Sequence, residues 1–239
     1  MARVWGYELG VNDFTLFQTE VDWENQTTAE AAKGYLQNHL REQLIREIPV
    51  ANEALIQESI RTQIGSGFWL LLRGILTPVS FLGALYKGTD SSTNSVEFIE
   101  EYVGRRQAKK AYLDLFPLVY VQFRHGLVHT AMPKVFMRSD GLLVGWLATF
   151  EPTEHLTVLR APKGSHGNAV YVGLCAPELY RDVLAGLDIY IADFNDQTKA
   201  PALLANFKKG FLTMATVFVP SDLPGVTMQR QVETCLQWL

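Results

Sequence analysis

Residues 111–133, AYLDLFPLVYVQFRHGLVHTAMP, decide the fold. From Leu118 onward Val119, Phe123 and Leu127 recur at helical spacing, with a second set at Val121 and Val128. The pattern predicts a buried or mostly buried helix, closed by Pro133. Pro117 either stands near its start, where a missing N–H does no harm, or kinks a helix that begins near Lys109. Arg124, His125 and His129 occupy the last turns. At about 100° per residue, His125 and His129 share a face, while Arg124 and His129 lie about 140° apart and about 7.5 Å along the axis. One helix alone therefore spreads these groups. They converge through a frayed or 3₁₀ turn near Gly126, a wrapping Arg side chain, or a second copy of the helix facing the first. Positive charge is also favourable at a helix C-terminus, which is the plain structural account of the cluster.

Upstream, Thr28 is a suitable N-cap for an amphipathic helix that runs to Ile48 through Tyr35, Leu36, Leu40 and Leu44, with Pro49 ending or kinking it. A second helix is expected from about Ala51 to Ile64, broken by Gly65-Ser66-Gly67. Phe68 to Tyr86 is apolar nearly all round and belongs at the centre of a bundle, although Thr77-Pro78 predicts a kink or split. Arg73, Gly74 and Pro78 interrupt it, and its short length fits a core helix better than a membrane span. Ser95 is expected to cap a short helix containing Phe98, Ile99, Tyr102 and Val103. Gly104 to Lys110, GRRQAKK, is the concentrated basic run. It reads either as a solvated helix surface or junction, or as a phosphate contact through Arg105, Arg106 and Lys109 beside the Arg124 helix.

Downstream the character changes. Arg138-Ser139-Asp140-Gly141 separates two short apolar runs, and Asp-Gly between such runs is a hairpin signal. Further strands are expected at Leu156–Leu159 and Ala169–Leu174, giving a small antiparallel sheet at about 134–174. Pro177 to Phe194 is then a long helix, Thr198 to about Val217 another, and the tail holds a short helix at most. Asp188, Tyr190 and Asp193 fall on the Pro177 helix, where one of them is a candidate partner for Arg124. The expected organisation is an irregular or partly extended arm over 1–27, a mainly α domain over 28–219 with the β insertion, and a tail or short helix over 220–239.

The formal net charge is −4, from 21 Lys and Arg against 25 Asp and Glu, so any nucleic-acid site must be local. Two cysteines, Cys175 and Cys235, make neither a disulfide scaffold nor a thiolate metal site. The first residues carry Glu8 and Asp13 and do not resemble a signal peptide, so a cytoplasmic location is expected, with no membrane association. APKGSHGN, residues 161–168, lacks the GK[ST] of a phosphate loop. His155 and His166 have no acid or thiolate at metal-ligand spacing. No metal or cofactor is expected.

Imidazole with guanidinium suits phosphodiester chemistry. Histidine exchanges protons near neutral pH, and arginine stabilises charge growing on phosphoryl oxygens. RNA brings its own nucleophile, the 2′-hydroxyl, so base and clamp on one phosphate are sufficient in principle. Phe123 to Thr130, FRHGLVHT, resembles the signature of the HEPN family (higher eukaryotes and prokaryotes nucleotide-binding), in which an arginine precedes a histidine by a few residues late in a bundle helix. The resemblance implies an up-and-down helical bundle, often a homodimer with signature helices face to face, to which the small antiparallel sheet is here an insertion. Many such proteins are metal-independent endoribonucleases of defence, toxin–antitoxin or RNA-processing systems, leaving a 2′,3′-cyclic phosphate. Others are non-catalytic RNA- or protein-binding modules, and a structural dimerisation domain is a further alternative. By position, Arg124 matches the signature arginine and His129 the histidine. The implied roles are His129 as general base or acid, Arg124 as phosphate clamp and His125 in orientation. Tyr120, one turn back, is a further candidate for substrate contact, and an antitoxin or other protein is a candidate partner.

Overall fold

The computed structural model describes residues 4–8, 13–17, 27–62, 68–125, 133–160, 169–215 and 225–237. Two strands, β1 (Val4–Glu8) and β2 (Asp13–Phe17), form an antiparallel hairpin with Val4 opposite Phe17, a more regular element than the expected arm. Helix α1 (Ala29–Tyr35) opens on Thr28, whose Oγ1 accepts from the Ala31 N–H at 3.1 Å, as its residue type leads one to expect. A π-helical turn at Leu36–Arg41 leads into α2 (Glu42–Thr62). Then come α3 (Phe68–Lys87), α4 (Ser92–Ile99), a second π-helical turn at Glu100–Arg105, α5 (Lys110–Tyr120), and a third π-helical turn at Val121–His125. After a small sheet follow α6 (Ala176–Asp193), α7 (Ala200–Ala215) and α8 (Val226–Leu236). The fold is mainly α with a small inserted sheet, as expected.

Helix α3 is the centre, packed by α4, α7, α6 and α2. Its Leu72, Ile75, Leu76, Val79, Leu82 and Leu85 are buried. The Leu70–Lys87 stretch is long and apolar enough to cross a membrane by length and composition, but half of it is buried inside the fold. Two glycines let its neighbours come close. A side chain at Gly83 would meet the Ser95 backbone of α4, and one at Gly210 of α7 would meet the Ala84 carbonyl, so these helices approach backbone to backbone.

Three prolines lie inside helices: Pro49 in α2, Pro78 in α3 and Pro117 in α5. Of the alternatives expected, ending or kinking at Pro49 and kinking or splitting at Pro78, neither the ending nor the split occurs. An interior proline costs about 3 kcal/mol, and burying a large aliphatic side chain stabilises by about 1.5–3 kcal/mol. Ile75, Leu76, Val79 and Leu82, all buried around Pro78, therefore outweigh it. Pro117 resolves the earlier alternative in favour of a helix that begins at Lys110. The short helix after the Lys87 loop is capped by Ser91 rather than Ser95. Ser91 Oγ accepts from the Asn94 N–H at 3.1 Å, and Ser95 is a buried residue within the helix.

The sheet comprises β3 (Phe136–Met137), β4 (Leu143–Thr149), β5 (Val158–Arg160) and β6 (Ala169–Cys175) in the order β3-β4-β6-β5. The expected hairpin at Asp140-Gly141 is present, with β3 antiparallel to β4 and Gly141 at φ +83°. The expectation of a wholly antiparallel sheet is corrected, because β4 and β6 run parallel from Leu143 opposite Ala169 to Thr149 opposite Cys175. The chain passes from β4 through a 3₁₀ turn at Pro152–Glu154 to the far edge, reverses at Leu156 (φ +50°), and returns as β6 in the middle. Such a crossover is set by tertiary packing and leaves no local mark in the strands. Val144, Trp146 and Ala148, with Val172 and Leu174, face the bundle. Gln122 of the third π-helical turn donates from Nε2 to the Val144 carbonyl at 3.1 Å, and its backbone carbonyl accepts from the Lys134 N–H at 2.9 Å. Arg124 thus sits on a turn fastened to the sheet on one side and to α3 on the other.

Candidate functional site

Helix α5 buries Tyr112, Phe116, Val119 and Tyr120, and the π-helical turn continues with Gln122 and Phe123 buried. Phe123 meets Trp146 edge-on, ring centroids 6.1 Å apart. The wider turn rotates the chain less per residue than an α-helix, and leaves Arg124 partly buried against α3. Its Nε–H donates to Ser80 Oγ at 3.1 Å. Ser80 Oγ also donates to the Leu76 carbonyl at 3.1 Å and lies 2.8 Å from Tyr120 Oη. A hydroxyl has one proton and two lone pairs. With its proton on Leu76, Ser80 accepts from both Arg124 and Tyr120, and its capacity is full.

Arg124 has no carboxylate partner among the described residues, and the following segment, Gly126 to Met132, contains no Asp or Glu. The acids expected as candidate partners are engaged elsewhere. Asp188 receives Arg41, and Asp193 receives Arg106 and Lys199. Among the described residues a single hydroxyl receives this partly buried guanidinium, which leaves four of its five N–H donors, an arrangement suited to receiving an anion.

Of the candidate site residues, Arg124 and Tyr120 are brought together, through Ser80. Tyr120 is buried, so it acts on the site by holding Arg124's anchor. His125 closes the third π-helical turn, with its side chain outside the described residues, and His129 lies outside the described residues altogether. The basic run is spent on structure. Arg105 pairs with Glu100 and Glu101. Arg106 makes a two-pronged bond to buried Asp193, Nη1–Oδ2 2.9 Å and Nη2–Oδ1 3.1 Å, joined by Lys199 and by Tyr102 Oη. Burial opposes ionisation of Asp193, but the bonds from Arg106 and Lys199 prevail and hold it below the ordinary carboxylate value. Lys109 pairs with buried Asp182. Junction, one of the two readings of this run, describes Arg106 and Lys109.

Sequence reasoning passed over two features. The first is Ser80, whose signal is a hydroxyl within the apolar run VSFLGAL. The second is a polar chain between helices and sheet. The Cys175 N–H donates to His155 Nδ1 at 3.2 Å, so the ring proton is on Nε2. Nε2–H donates to Tyr112 Oη at 2.9 Å, which donates to Asp182 Oδ2 at 2.8 Å, where Lys109 completes the chain. Burial lowers the His155 pKa to about 4; Asp182 opposes this and Lys109 adds to it. This histidine is neutral and its nitrogens are both occupied. Among the described residues no three His, Cys, Asp or Glu side chains gather as a metal site would require. No family model, curated protein or solved structure matches the chain.

Proposed function

We propose that the protein is a metal-independent endoribonuclease of HEPN type. Arg124 holds the scissile phosphate, and His129 exchanges the proton of the attacking 2′-hydroxyl or of the leaving oxygen. The observation that carries the reading is Arg124 itself, a partly buried cation fixed by Ser80 and left without an acid among the described residues. Fixing Nε on a hydroxyl leaves the terminal nitrogens to meet two phosphoryl oxygens, where charge grows in the transition state. In a homodimer, two such turns facing one another supply both copies of Arg124 and His129 to one groove. This answers the spread of these groups along a single helix.

The engagement of Arg106 and Lys109 with acids favours a second reading, in which the Arg124 site belongs to a non-catalytic RNA- or protein-binding module whose affinity is supplemented by a partner protein. Incubation of a mixed RNA panel with chelator present separates the two. The first reading expects fragments ending in 2′,3′-cyclic phosphate, with Arg124→Ala and His129→Ala each slowing cleavage by two orders of magnitude or more, the scale of losing one transition-state donor. RNA binding that depends on Arg124 without cleavage selects the second. Cleavage that survives both substitutions removes the site.

A further inference from the structure

A cleft of about 510 Å³ opens between α2 and α3, within the size range of small-ligand sites. The helices meet at Gly74 and Ile48, where a Cβ added to the glycine would stand 3.0 Å from Ile48 Cδ1. From there the lining follows α3 from Arg73 to Phe81, a little over two helical turns or about 12 Å. The floor is apolar, with Leu44 and Ile48 buried. At the far end the Phe81 ring is partly buried and backed by Tyr35 and Phe211, ring centroids 6.2 Å and 6.5 Å away.

The near end is polar and carries both signs. Arg73, partly buried, brings a cation and donors to the α3 wall. Pro78 has no N–H, so the Gly74 carbonyl beside Arg73 lacks its helical donor and is an acceptor on that wall. On the α2 wall Glu47, next in sequence to Ile48, accepts from Gln43 Nε2 at 3.1 Å on Oε1, leaving Oε2 to accept elsewhere. A ligand head that satisfies these groups needs a negative part for Arg73 and a positive, proton-donating part for Glu47 and the Gly74 carbonyl. A simple carboxylate sets its charge against two acceptors, and a simple amine sets its charge against Arg73. An α-amino acid carries carboxylate and ammonium on one carbon, and its side chain then runs along the apolar floor toward Phe81, where a ring packs on an aromatic edge or face. A residue within a peptide has neither backbone charge, and a peptide end has one.

We infer that this cleft binds a free α-amino acid with a large apolar side chain, its carboxylate on Arg73, its ammonium on Glu47 and the Gly74 carbonyl, and its side chain against Leu44 and Phe81. The site is separate from Arg124 and stands or falls independently of the function proposed there. The test is calorimetric titration of the full-length protein with L-phenylalanine, L-alanine, 3-phenylpropanoate, which lacks the ammonium, and 2-phenylethylamine, which lacks the carboxylate. Phenylalanine should bind, and the other three should bind at least tenfold more weakly, the scale of one lost charged hydrogen bond or of the lost ring burial. Glu47→Gln, nearly isosteric and at an exposed position, should weaken phenylalanine about tenfold and leave 3-phenylpropanoate no weaker, a shift in preference that a merely structural role for Glu47 would not produce. Arg73→Gln should weaken phenylalanine and leave 2-phenylethylamine no weaker. Thr77→Trp, from an exposed position of the lining, fills the cleft and should abolish binding, with melting curves confirming that all three variants fold. No binding of phenylalanine at millimolar concentration, equal affinity for 3-phenylpropanoate, or unchanged binding in Thr77→Trp overturns the site.

Discussion

At Ser80 three hydrogen bonds meet on one oxygen, and that is what turns an arginine on a helix end into a fixed charge. Arg124 was legible in the sequence because its neighbours fall into a helical apolar period and because a histidine follows at short distance. Ser80 was not, because a serine can return its proton to the helix carbonyl four residues back, so a lone hydroxyl in an apolar run reads as internally satisfied. Only the crossing of α3 with the third π-helical turn shows that its lone pairs serve two other elements. A contrasting hydroxyl lies elsewhere in the core. Tyr190 is fully buried among Tyr86, Phe98, Tyr102 and Phe194, and its Oη has no hydrogen-bond partner among the described residues. Leaving a buried donor unmade costs about 1–3 kcal/mol. Tyr190→Phe should therefore stabilise the protein by about 1 kcal/mol and raise Tm by roughly 2–4 °C, read by thermal unfolding. A lowered Tm would instead assign the hydroxyl a buried water.

Among the elements, helices were easier to read than their joints. The apolar stripes of α3 and α6 are long and periodic, whereas nothing local signals a π-helical turn at Val121–His125 or the passage of α2 through Pro49, both of which depend on what packs around them. The strands were found by composition, but β4 and β6 are parallel because β5 is carried to the far edge, a choice made by the bundle beneath. The joint between sheet and helices is also where acid should act. The His155 pKa is lowered from 6.5 to about 4. The folded protein thus binds fewer protons here than the unfolded chain between those values, and stability falls as pH falls through that window. The contribution is intact above pH 6.5 and fully lost below about 4, a change on the order of 3 kcal/mol. Protonation places an N–H on Nδ1 against the Cys175 N–H, so the loss begins at β6. Urea unfolding at a series of pH values should show this slope, and His155→Gln, which does not titrate there, should flatten it. An unchanged slope in His155→Gln would place the acid sensitivity in other groups.

For the molecule as a whole, a net charge of −4 with Arg106 and Lys109 bound to acids leaves little general attraction for a phosphate backbone. On the proposed function, affinity for RNA comes from the local site, to which a face-to-face pair of turns would bring two Arg124 guanidiniums. The account therefore expects a homodimer of about twice the 26.9 kDa chain mass in light scattering at micromolar concentration, and a monomer at that concentration would remove the shared groove. The helical architecture around that site was legible in the apolar periods; the placement of the basic run was not, because Asp182 and Asp193 lie far along the chain and only the packing of α6 against the second π-helical turn and α5 brings them to Arg106 and Lys109. The most direct measurement is the single-turnover rate of RNA cleavage in chelator by the unaltered protein and by Arg124→Ala, at equal Tm. The account predicts measurable cleavage that falls at least a hundredfold with the substitution. Equal rates in the two proteins would contradict it.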